Sequence, residues 1–79
     1  MISVDILSPE QSSHMDVDAI FFPGALGEFE VLNNHAPIIS LLVKGRIHWR
    51  TGKEEGSMDI DGGIVRVKDN NIQVCIDSL

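Results

Sequence analysis

The sequence predicts an all-β fold, a flattened antiparallel sandwich or barrel of short strands, on three observations. β-branched and aliphatic residues recur in short runs, and clusters of Gly, Asn, Asp and Pro separate those runs. No stretch repeats its apolar residues at helical spacing. The connections are also too short for crossover helices, which favours hairpins and antiparallel pairing.

Taken in order, the first strand is expected at residues 3–7, and a second, long one at 15–22 that ends in a Pro23-Gly24 turn. Strands follow at 28–32 and 38–43. The clearest alternation lies in the next strand, 46–51, where a period of two in Arg46-Ile47-His48-Trp49-Arg50 sends Ile47 and Trp49 inward. Thr51-Gly52, Asp61-Gly62-Gly63 and Asp69-Asn70-Asn71 can each supply a positive φ or an Asx turn, and they precede strands at 57–60, 64–68 and 72–77. The expected core includes Ile47, Trp49, Val65, Val67 and Val74.

Two segments depart from one-face patterning. In Ala19-Ile20-Phe21-Phe22, and again in Ile38-Ile39 with Leu41-Leu42-Val43, alternation leaves both faces apolar. The second face must meet another part of this chain or another protein.

With 79 residues and 8.7 kDa, the chain is read as one domain, 1–79. A domain this small buries about 60% of its unfolded surface, so its core is thin and a large substrate cleft is not expected. Residues 1–40 hold six carboxylates and no Lys or Arg, while residues 41–79 hold six of each sign, so the whole net charge of −6 lies in the first half. That surface repels phosphate backbones and favours a basic partner, and no nucleic acid is expected. Cys75 is the only cysteine, which rules out an internal disulfide and fits a reducing compartment. The longest apolar run, 36–43, is interrupted by Ser40 and falls far short of the ~20 residues of a membrane helix. With no signal-like start either, the chain is read as soluble.

Catalytic and metal patterns are weak. His14, His35, His48 and Cys75 lack the paired spacing of zinc ligands. Asp59-Ile60-Asp61-Gly62-Gly63 begins like a calcium loop, but Asn70 stands where the bidentate carboxylate belongs. There is no G-x-S-x-G elbow, no G-x-G-x-x-G and no Walker pattern, so no catalytic residue, nucleotide site or cofactor is expected. Asp16 and Asp18, two apart on the expected strand, are read as sharing a solvated acidic edge. A free-standing peptide- or carbohydrate-binding sandwich is the competing class. It needs an exposed aromatic platform, whereas Trp49 alternates inward.

The string Phe22-Pro23-Gly24-Ala25-Leu26-Gly27-Glu28-Phe29-Glu30-Val31-Leu32-Asn33-Asn34-His35-Ala36-Pro37 closely resembles the epsilon-subunit family of F-type ATP synthases. Val4-Asp5-Ile6-Leu7-Ser8-Pro9-Glu10 upstream, and Lys44-Gly45-Arg46-Ile47, Gly62-Gly63-Ile64-Val65-Arg66-Val67 and Asn71-Ile72-Gln73-Val74 downstream, extend the match over nearly the whole chain.

The resemblance implies a sandwich of about ten strands in the central stalk, a non-catalytic rotor part that fastens the gamma subunit to the c-ring. It implies a peripheral place on the cytoplasmic face of the bacterial inner membrane. By position, Glu28 and its neighbour Glu30 fall at the loops of the c-ring, and Ser8, His35 and Ser40 fall facing gamma. The family usually has Gly at the position of Glu30, which puts the local backbone in question because Glu tolerates positive φ poorly. It commonly has Pro at that of Asn33. The sequence ends at Leu79, so the family's C-terminal helical hairpin, with the ATP-binding and hydrolysis-braking roles it has in some bacterial members, is expected to be missing, as in the short natural members.

Overall fold

Side-chain alternation shapes every part of the computed structural model, which describes residues 1–77. Nine strands and no helix occur among the described residues: β1 (Ile2–Leu7), β2 (Ser12–Val17), β3 (Ala19–Gly24), β4 (Gly27–Val31), β5 (Ile38–Leu42), β6 (Gly45–Thr51), β7 (Glu54–Ile60), β8 (Gly63–Lys68) and β9 (Asn71–Ile76). β1 buries Ile2, Val4 and Ile6, β8 buries Val65 and Val67, and β9 buries Ile72, Val74 and Ile76, each with more exposed residues between. Turn chemistry closes the later hairpins. Gly52 at φ 61° turns β6 into β7, and Asp69 at 52° with Asn70 at 61° forms a two-residue turn of both-positive φ that suits the right-handed twist of β8 and β9.

The strands form one sheet in the order β2-β1-β9-β8-β5-β3-β6-β7, with β4 added on β3. The sheet curls so that its two halves enclose a single aliphatic core that includes Val4, Val17, Ile20, Phe22, Val31, Ile47, Val65 and Val74 and draws on all nine strands. No polar or charged residue is buried among the described residues. Where the halves meet, Thr51 Oγ1 donates to the Asp16 carbonyl at 3.3 Å and Asp18 N–H to the Arg50 carbonyl at 2.8 Å.

The nine strands among the described residues agree with the expected all-β fold of about ten. Five expectations change. One pairing is parallel, β1 with β9, because the first and last strands run side by side in the same direction. The single strand at 15–22 is two, broken at Asp18, whose N–H bonds to Arg50 and whose Oδ2 accepts the Gly52 N–H at 2.7 Å, so the chain passes from one half of the sheet to the other. Asp16 and Asp18 therefore belong to different surroundings, not to one acidic edge. Pro23-Gly24 lies inside β3, and the turn falls on Ala25 and Leu26 between the paired Gly24 and Gly27, with Gly27 at φ 127°. Trp49 is only half-buried, its indole lying over Gly56 of edge strand β7 in the space where a side chain would otherwise stand.

Candidate partner-binding surfaces

The doubly apolar segments end differently. β3 is covered by its own chain: Ala19, Ile20 and Phe22 are fully buried, and Phe21 stacks on His48 with centroids 4.4 Å apart and planes 7° from parallel. β5 is not. Its Ile38, Ser40 and Leu42 share the more buried face, while Ile39 and Leu41 face outward at 71% and 61% exposure.

Strand register extends that exposed pair into a row. Leu7 of β1 stands opposite Cys75 of β9, Cys75 opposite Ile64 of β8, and Ile64 opposite Leu41 of β5. All four are exposed, and Val43 and Ala25 adjoin them around a shallow depression of about 510 Å³. Two positions along each strand the same outer face turns polar at Asp5, Gln73 and Arg66, with Arg66 Nη2 donating to Gln73 Oε1 at 3.0 Å, and stays apolar only at Ile39 of β5. An apolar strip crossing four strands in water is the kind of surface a protein partner covers.

Ser8 directly follows Leu7 and so lies at the end of this strip, where its Oγ donates to the Gln11 carbonyl and accepts the Gln11 N–H at 3.0 and 3.2 Å. Ser40 sits between Ile39 and Leu41 and is itself turned to the core side, opposite Val65. His35 lies apart. It belongs to the loop at 32–37, where its N–H donates to the Leu32 carbonyl at 3.2 Å, and that loop is pinned when Asn34 N–H donates to Asn70 Oδ1 at 2.6 Å. Asn70 is in the β8–β9 turn, at the end of β9 that pairs with Ser3, whereas Ser8 follows the end of β1 that pairs with Cys75. The structure thus brings Ser8 to the end of the apolar strip, turns Ser40 to the face of β5 opposite the strip, and places His35 at the far end of the sheet. Leu7, Ile64 and Cys75 were not singled out in the sequence as surface residues. Their one signal is apolar character at the outward phase of strands whose other outward residues are polar.

A second surface lies on the β3–β4 hairpin. Glu28 and Glu30 project from one face of β4 opposite Pro23 and Phe21, and the hairpin tip carries a fully exposed Leu26. His48, stacked on Phe21, brings Nε2 to 3.9 Å from Glu28 Oε1, and Arg46 Nε, farther along β6, donates to Asp59 Oδ1 at 2.9 Å. Glu30 has ordinary extended geometry, since the positive-φ residues other than Gly are Asn34, Asp69 and Asn70 among the described residues. The family's usual glycine at that position is therefore not required by this backbone.

At the opposite edge, His14 of β2 stands across from Asp5 of β1 and approaches two carboxylates, with Nδ1 2.7 Å from Asp5 Oδ1 and Nε2 3.6 Å from Asp16 Oδ1. The hydrogen bond to Asp5, assisted by the charges of both carboxylates, raises the His14 imidazole above the ordinary histidine value. Among the described residues no cluster of three or more His, Cys, Asp or Glu is arranged to hold a metal ion.

Comparison with known proteins agrees with this architecture. A family model described as ATP synthase, Delta/Epsilon chain, beta-sandwich domain matches residues 1–79. The chain is 34% identical over 77 residues to the ATP synthase epsilon chain of Leptospira borgpetersenii serovar Hardjo-bovis, covering 96% of this chain and 61% of the relative. It is 33% identical over 78 residues to that of Dehalococcoides mccartyi strain CBDB1, covering 98% and 56%. The chain thus spans about three-fifths of the length of such relatives. Among solved structures it superposes on a chain of the central stalk/c-ring of the Tetrahymena thermophila mitochondrial ATP synthase with a TM-score of 0.83 at 18% identity, covering 98% of this chain and 63% of that one. A chain in the Euglena gracilis mitochondrial ATP synthase OSCP/F1/c-ring structure gives 0.88 at 22%, covering 95% and 49%. Sequence pattern, sandwich and family match converge: the chain belongs to the delta/epsilon-chain β-sandwich domain family of ATP synthases.

Proposed function

We propose that this domain is a non-catalytic rotor element that fastens the gamma subunit to the c-ring, so that torque from ion flow reaches the catalytic head. It acts peripherally, on the cytoplasmic face of a bacterial inner membrane. The observation that carries the reading is the exposed apolar row Leu7–Cys75–Ile64–Leu41, which the described residues leave uncovered and which suits a permanent, largely apolar contact with gamma. Glu28 and Glu30, on the separate β3–β4 hairpin, supply a charged surface suited to polar loops of the c-ring. A closed core between two such surfaces transmits torque without bending, and no bond is made or broken in the process.

Leu41→Asp tests the gamma contact. Leu41 is 61% exposed, so the substitution leaves the core packed. The variant is expected to keep the parental Tm within a few degrees yet to bind gamma at least about 100-fold more weakly, since a carboxylate buried in an apolar contact without a partner costs several kcal/mol. Unchanged gamma affinity contradicts the reading. For the second surface, membranes carrying Glu28→Lys with Glu30→Lys are expected to lose ion-driven ATP synthesis while the isolated fold stays intact. Normal synthesis removes the hairpin from the c-ring contact.

A further inference from the structure

We propose that His14 is a proton-operated latch on the free end of edge strand β2, holding that end, and with it the self-bonded β1–β2 turn that carries Ser8, against β1 while the imidazole is protonated and loosening it when the proton leaves. β2 pairs with β1 alone. Its C-terminal end has a second fastening through Asp16 to Thr51, and Asp18 just beyond is held by Arg50 and Gly52. The described residues give its exposed N-terminal half, Ser12 to His14, no such second tie. The turn before it, 8–11, is held by bonds of its own between Ser8 and Gln11.

What binds this half besides the ladder is the clasp of His14 on Asp5 and Asp16. An imidazolium donates Nδ1–H to Asp5 and brings its second N–H to 3.6 Å from Asp16, a charge contact longer than a hydrogen bond. A neutral imidazole has one N–H, so one carboxylate loses its partner and both lose their counter-charge. No Lys or Arg occurs in residues 1–40 to replace it. Farther along the row, β9 offers neutral Gln73 beside Asp5, and Arg66 of β8 is engaged with that Gln73. Because Asp5 raises the His14 titration, the latch is fully closed below the ordinary histidine value and opens as pH rises through the raised one. Its consequence for gamma rests on the rotor reading, in which the Ser8 turn borders the gamma contact.

The test is amide protection at Ser13 and Met15, whose N–H groups face β1 on either side of His14, corrected for intrinsic exchange and followed by NMR from about pH 6 to about pH 9 beside the imidazole titration. Protection is expected to fall several-fold, no faster than about tenfold per pH unit for one proton, with its midpoint at that of the imidazole, while amides of β8 and β9 hold. His14→Lys, which keeps its charge, remains protected throughout, and His14→Gln is less protected and flat. Flat protection in the parent, or the same fall in His14→Gln, overturns the latch. With gamma added, an open latch and unchanged gamma affinity overturns the link to Ser8. No gamma binding at any pH overturns the rotor reading and leaves the latch to be decided by its exchange profile.

Discussion

Phe22→Ala is expected to unfold the domain at ordinary temperature. Phe22 is fully buried in β3 and packs against Phe29 of β4 with ring centroids 5.5 Å apart, so truncation removes the largest side chain in the core and leaves a cavity between the two halves of the sheet. Large-to-small changes of this kind cost about 3–5 kcal/mol. A chain of 79 residues has a total stability of about 4–12 kcal/mol, so the loss takes a quarter of it or more, and all of it toward the low end. Urea titration followed by Trp49 fluorescence checks this, with the midpoint expected to fall by a quarter or more or the folded baseline to vanish. Phe22→Leu, which keeps most of the volume, is expected to recover most of the loss.

Gly63→Ala is expected to be nearly as damaging, for a different reason. Gly63 begins β8 opposite Ile76 of β9, and a Cβ built there overlaps the Cys75 carbonyl oxygen and lies 3.0 Å from the Ile76 Cα. The obstruction is backbone on a paired strand and cannot rotate aside, so β8 and β9 must separate at this end. A cost of about 3 kcal/mol follows from overpacking against an immovable neighbour. Gly52→Ala serves as the control, since a Cβ there meets nothing within 4 Å and only its φ of 61° resists. Its cost is expected near 1 kcal/mol. Thermal unfolding of the two variants side by side separates crowding from backbone strain, and equal Tm losses would contradict the crowding at Gly63.

Features written locally were legible in the sequence. Ile47, Val65, Val67 and Val74 are buried because a period of two makes them so, and Asp69-Asn70 turns because its residues tolerate positive φ. Features set by tertiary bonds were not. The break at Asp18 falls where Met15, Val17 and Ala19 keep their alternation, and it is fixed by Arg50 and Gly52, more than thirty positions away. Pro23-Gly24 has the chemistry of a turn, yet Pro23 is held in β3 opposite Glu28, and its carbonyl accepts the Val43 N–H at 2.9 Å. The apolar strip needs the register of four strands at once. Leu7, Ile64 and Cys75 are unremarkable alone and become a surface only when the parallel β1–β9 pairing aligns them with Leu41. Two apolar faces were read for both β3 and β5, but which of them the chain itself covers was not: the second face of β3 is covered within the chain and that of β5 is exposed.

Cys75 gives the central claim a reporter that needs no substitution. It is the only cysteine in the sequence and is exposed in the middle of the apolar row. Its rate of modification by a thiol-specific maleimide is to be measured for the chain alone and with saturating gamma subunit from the same organism. The proposed contact predicts prompt labelling of the free chain and labelling slowed at least about tenfold when gamma is bound, because a thiol inside a packed interface is shielded from the reagent. A gamma complex in which Cys75 reacts as fast as in the free chain would show that gamma sits elsewhere and would contradict the assignment of the Leu7–Cys75–Ile64–Leu41 row as its seat.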